Sequence, residues 1–205
     1  MSLIAFAFVD GAYLRQRADE AQLPWVDPHG LAQRICASGL LITAGDEERG
    51  SGSGVVLHRV TYYDALADRD EDVPEELKSF WDQVELLPDT HLGFGSVRGI
   101  MSDKPRQKGV DTLISVDMVV GAFAKLFDMA ILIAGDADFV PALREVGRRG
   151  LRTVVAAVPG KGLAADLRRC ADRFVPIAPS ASPLFPRLVG KEPHEGRTWG
   201  RGKPK

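Results

Sequence analysis

Two short runs with no polar side chain, Leu3-Ile4-Ala5-Phe6-Ala7-Phe8-Val9 and Met129-Ala130-Ile131-Leu132-Ile133-Ala134, constrain this chain most. A strand with one wet face alternates apolar and polar residues, so a run without alternation has both faces covered. That is the signature of a central strand in a parallel sheet between two helical layers. Each run ends at acid: Asp10-Gly11 follows the first, and Gly135-Asp136-Ala137-Asp138-Phe139 the second. In an open α/β sheet, ligands bind beyond the carboxyl ends of the strands. Aspartates grouped there repel one another unless protons or a cation relieve them.

Between and around these runs the pattern alternates helix and strand. Helices are expected over Tyr13 to Ala21, Pro28 to Leu41, Pro74 to Leu86, Val110 to Leu126, from Phe139, and Leu163 to Ala171. Strands are expected over Val55 to Tyr63, His91 to Ile100, Arg152 to Val158 and Arg173 to Ile177. Thr43 to Gly54 and Arg98 to Gly109 read as loops; Asp64, on the same edge as Asp10, reads first as a residue beginning a turn and otherwise as an acid standing behind the site. The fold class is α/β with a mostly parallel central sheet. With 205 residues and 45% hydrophobic content, one domain of ordinary size suffices.

Charge and cysteine usage narrow the function classes. Residues 178 to 205 carry six Lys or Arg against two Glu, so this segment is +4 and the remainder −6 in a chain of net −2. The body is therefore no broad basic surface for nucleic acid, and any such binding is local. Residues 179 to 205, rich in Pro, Gly and charge, are expected to form a basic, disordered tail after a domain spanning 1 to 178. The amino-terminal run is too short to span a membrane and lacks the basic flank of a signal peptide. Cys36 and Cys170 sit in helical patterns as reduced thiols, which suits a cytoplasmic protein. His29, His58, His91 and His194 have no motif company.

Several segments bear on a site. Asp111 falls in the first turn of its helix, where a carboxylate is favoured electrostatically. Asp117, six residues on, lies about 240° around and about 9 Å up, and so reads as a structural acid outside any direct chelate. The basic residues Lys104, Arg106 and Lys108 lead straight to Asp111 and are candidates for phosphate contact. Pro159-Gly160-Lys161-Gly162 ends a strand in a glycine-rich turn, a modest phosphate nest with Lys161 beside it, but not a Walker loop. Arg144, Arg148, Arg149 and Arg152 belong to the opposite sheet edge and need no substrate role.

Phe8-Val9-Asp10-Gly11, then Lys108-Gly109-Val110-Asp111 with Val116-Asp117-Met118, then Gly135-Asp136-Ala137-Asp138-Phe139, resemble in that order the NYN domain in its LabA-like branch. The run from Asp166 to Phe174 is similar to that branch's last helix and strand, so the resemblance covers roughly residues 3 to 178. It implies a Rossmann-like, PIN-like three-layer fold and a metal-dependent endoribonuclease acting on single-stranded RNA. Asp10, Asp111, Asp136 and Asp138 would be the catalytic and metal-holding residues, with Mg²⁺ or Mn²⁺ as the ion. Asp117 would stand behind them, and Lys104, Arg106, Lys108 and Lys161 would meet substrate. The family commonly has Asn where Tyr13 stands and Ser where Ala137 stands, and Ala134 also replaces a usual polar residue. These departures fit the alternative of an RNA- or protein-binding module with weak or lost catalysis. A homodimer or a protein partner is compatible with either reading, and no membrane partner is expected.

Overall fold

The computed structural model describes residues 2–41, 54–66, 73–98, 106–160 and 162–178, with backbone alone for 96–98 and 106–108. Seven strands form one sheet: β1 (Leu3–Asp10), β2 (Val55–Leu66), β3 (Thr90–Arg98), β4 (Arg106–Lys108), β5 (Met129–Ile133), β6 (Arg152–Ala157) and β7 (Arg173–Pro176). Their order is β4-β3-β2-β1-β5-β6-β7. Six strands are parallel, and only the short edge strand β4 runs antiparallel, on β3. The chain walks outward from β1 through β2 and β3, then returns to β5 beside β1 and walks the other way. The topological switch thus lies between β1 and β5, and the parallel part has the Rossmann strand order.

Both expected central strands are paired on both sides and buried. β1 pairs with β5 from Ala5 opposite Met129 to Val9 opposite Ile133. Ala5, Ala7 and Val9 face one layer, and Phe6 and Phe8 face the other. The first layer is α1 (Gly11–Glu20), α2 (Pro28–Ala37) and α3 (Glu75–Glu85); the second is α4 (Val110–Phe123), α5 (Val140–Arg148) and α6 (Ala165–Cys170). This covering of both faces is why neither run alternates. Among the described residues no helix is long and apolar enough to cross a membrane.

The structure corrects several expected boundaries. α2 ends at Ala37, with Ser38 capping and Gly39 in the left-handed region. α4 stops at Phe123 rather than Leu126, and Lys125 takes a positive φ in the turn toward β5. α6 has six residues, fewer than the expected Leu163 to Ala171. Part of the expected loop before Asp111 is strand, because Arg106–Lys108 pair with Ser96–Arg98. The largest correction is Asp64. β2 continues three residues past Tyr63 alongside β3, so Asp64 lies inside the strand, 1% exposed, instead of beginning a turn.

Candidate active site at the switch between β1 and β5

Asp10 is the last residue of β1 and the N-cap of α1, and its carboxylate accepts the Tyr13 backbone N–H at 3.0 Å. Burial is the main influence on it, pushing the carboxyl up to about 6; the Tyr13 N–H and Arg15 oppose this, while the charges of Asp111 and Asp64 add to it. Asp111 lies in the first turn of α4, which Gly109 opens with a φ of 89°. That left-handed backbone is open to glycine and costly for a residue with Cβ. The Asp111 carboxyl is also raised, by burial first and then by the charges of Asp136 and Asp138. Asp111 therefore links the two strand ends, feeling the acids after β5 and acting on the acid after β1.

After β5 the chain turns through a 3₁₀ helix, Ala137–Phe139, directly into α5. Asp136 caps that turn, its carboxylate accepting the Asp138 N–H at 3.2 Å. Both side chains remain exposed. Gly135 before them has no room for a side chain: a Cβ there would lie 2.1 Å from the Gly162 carbonyl oxygen and 2.6 Å from the Tyr13 ring. The Gly135 carbonyl accepts from Ala164 N–H, which draws the turn after β6 against the turn after β5.

The neighbouring residues have defined tasks. Tyr13, at the position where Asn is common, turns inward, and its hydroxyl accepts the Val158 N–H at 2.9 Å, tying α1 to the end of β6. Asp117 accepts from the Tyr63 hydroxyl at 2.9 Å, joining α4 to β2. Behind Asp10, the Arg15 guanidinium grips the Asp64 carboxylate through two nitrogens and donates to the Tyr62 hydroxyl at 2.8 Å, while Trp81 Nε1–H donates to Asp64 at 2.8 Å. This network is what reading the residues in order missed. Its only local signal was a charged residue after two aromatics in a β-branched run.

The four aspartates come from three elements at one sheet edge and offer only oxygen, the donor that hard divalent cations take. Two of them, Asp10 and Asp111, carry an ionisation cost from burial and mutual repulsion, which a cation there would relieve. The donor chemistry therefore fits such an ion. Among the described residues, however, no three His, Cys, Asp or Glu side chains already converge on one point at which a metal ion could be held. Lys104 and Lys161 lie outside the described residues, as do the side chains of Arg106 and Lys108 and the segment 179–205.

No curated protein matches the chain. Among solved structures it is similar to a protein of unknown function from Vibrio parahaemolyticus, with a TM-score of 0.55 and 18% identity over 86% of this chain and 94% of that one. At that identity the likeness speaks for the fold alone. The family model of the NYN domain matches residues 6–178, which takes in all but the first three residues of β1 among the described strands and helices, and all four aspartates. The chain belongs to the NYN domain family, within the PIN-like nuclease superfamily, whose nucleases are generally dependent on divalent metals.

Proposed function

We propose that the protein is a cytoplasmic, metal-dependent endoribonuclease of the LabA-like branch, cleaving single-stranded RNA at Asp10, Asp111, Asp136 and Asp138. The observation that carries this reading is the placement of Asp10 at the end of β1, Asp111 in the first turn of α4, and Asp136 and Asp138 in the turn after β5, at the topological switch. Asp10, Asp111, Asp136 and Asp138 would hold Mg²⁺ or Mn²⁺, which when bound would supply water activation and charge neutralisation at a phosphate. Asp10, fixed as a helix cap on a buried strand, is the rigid member of the set. Asp136 and Asp138 sit on an exposed turn after β5, the strand beside β1. Asp117, on α4, stands behind these acids and is tied to β2 through Tyr63, and Lys104, Arg106, Lys108 and Lys161 are assigned to substrate phosphates.

One observation favours the second reading, a binding module of the same fold. Tyr13 spends its polar group on Val158, so α1 offers no polar side chain from that position to the site. The two readings separate in one assay: a mixed RNA pool incubated with and without Mn²⁺, using wild type and Asp136→Asn purified side by side. The nuclease reading expects metal-dependent cleavage by the wild type and none by the variant. Equal cleavage by both, or none by the wild type, overturns it in favour of the binding module.

A further inference from the structure

The outer face of α4 is apolar where a surface helix is usually polar. Val116 is 50% exposed, Val120 57% and Phe123 51%, spaced along one stripe of the helix. The Arg149 guanidinium covers the Phe123 ring. Nothing described covers Val116 and Val120. They form one wall of a groove of about 640 Å³ between α4 and α5, with Val119 and Pro141 also lining it. Asp111 and Asp138 line it as well, so the groove is apolar with an acidic mouth at the carboxyl edge of the sheet. Beyond its acidic mouth the groove is lined by Val116, Val119, Val120, Pro141 and Ala142 and offers an RNA backbone no cation. It suits an apolar segment with basic residues following it.

The chain contains such a segment. We infer that the groove between α4 and α5 receives residues 184–191 of the chain's own carboxyl-terminal segment, Leu184-Phe185-Pro186-Arg187-Leu188-Val189-Gly190-Lys191. Its apolar members, Leu184, Phe185, Leu188 and Val189, match the valine wall. The segment from 178 to 205 is +4 against a body of −6, and Arg187 and Lys191 bring cations to a mouth made by Asp111 and Asp138.

The reach is right. β7 is parallel to β5 and ends at the same sheet edge as the aspartates. α4 packs over β1, β2 and β3, and three strand spacings, about 14 Å, separate β7 from β1, with the helical layer on the order of 10 Å above the sheet. Leu184 lies six residues past Ala178, a reach of about 20 Å at about 3.3 Å per residue. The groove thus lies within reach of the segment. The docking itself requires no catalysis, so it stands or falls separately from the nuclease reading.

The test places a photoreactive benzoyl-phenylalanine at position 185 of the full chain, irradiates dilute protein, and maps the cross-links by mass spectrometry. Cross-links on the monomer are expected to fall within 112–123 and 138–142. Val120→Asp, at an exposed position that leaves the core intact, is expected to lower their yield about tenfold, because it opposes the apolar segment with an unpaired charge. Groove cross-links confined to a dimer band would mean that a second copy donates the segment, and would overturn docking within one chain. Cross-links scattered over the body, or a yield indifferent to Val120→Asp, would overturn the groove as the receptor.

Discussion

Asp10 serves two ends that conflict in the metal-free protein. As a cap it must present an oxygen to the Tyr13 N–H, and as a strand end it is held where ionisation is unfavourable. Its carboxyl moves from an ordinary 3.8 up to about 6. A group raised on folding gives its full stabilisation below the unfolded value and loses it as pH rises through the folded one. Metal-free wild type is therefore expected to lose roughly 1–3 kcal/mol between pH 4 and pH 6.5 from this residue, at about 1.4 kcal/mol per unit. Asn caps a helix as well as Asp does, so Asp10→Asn should flatten that slope while α1 stays formed. Urea denaturation in chelator at the two pH values checks it, and parallel slopes would show that ionised Asp10 carries no such cost. Asp136 calls for a paired comparison because it also caps. Asp136→Asn keeps the cap and removes a charge that presses on Asp111, so its melting temperature should equal or exceed that of wild type. Asp136→Ala loses the cap and should fall below Asp136→Asn by about 0.5–1 kcal/mol. If the two variants melt together, the 3.2 Å cap contributes nothing.

Asp64 shows what a whole element can hide. Its carboxylate joins β2 to α1 through Arg15 and to α3 through Trp81, so three elements behind the site are fixed by one side chain. Asp64→Ala would leave the Arg15 charge, 15% exposed, without its carboxylate, and breaking such a pair costs about 3–5 kcal/mol. Trp81→Phe removes one hydrogen bond to the same oxygen and should cost about 1–3 kcal/mol. Equilibrium unfolding of both variants tests the ranking, and an Asp64→Ala penalty no larger than that of Trp81→Phe would refute the pair's role. The same residue explains which parts of the fold were legible. β1 and β5 were readable because burial on both faces is written in consecutive residues, and so was the grouping of acids at their ends. Asp64 was not, because a carboxylate in a strand looks like the strand's end unless its partner is known, and Arg15 lies 49 residues away. β4 was missed for a related reason: three residues, Arg-Gln-Lys, carry no apolar face to betray a strand. Asp111 was read correctly as a first-turn acid, yet its coupling to acids on two other elements is a property of the sheet order.

For the whole molecule, charge and placement pull in opposite directions. The body's −6 repels RNA, and the four aspartates add to that repulsion where a substrate would have to lie. Affinity must therefore come from a few cations near the site, and the residues leading into α4 are the ones that sequence order puts there. β4 and Gly109 deliver Lys108 directly to the turn before Asp111, so the backbone from 106 to 109 borders the acidic edge. If Lys104 and Arg106 contact phosphates, each releases counterions on binding, contributing about 0.7 to the magnitude of the log-affinity against log-salt slope for a single strand. The double variant Lys104→Ala, Arg106→Ala should then bind single-stranded RNA of any sequence more weakly and lower that magnitude by about 1.4, with thermal stability nearly unchanged. Fluorescence anisotropy over a salt series in chelator measures this without requiring cleavage. An unchanged slope with intact affinity would assign these residues to solvent. Asp136→Asn is the internal control in the same series: it removes a negative charge at the site and no cation, so it should tighten metal-free binding while leaving the number of phosphate contacts as it was.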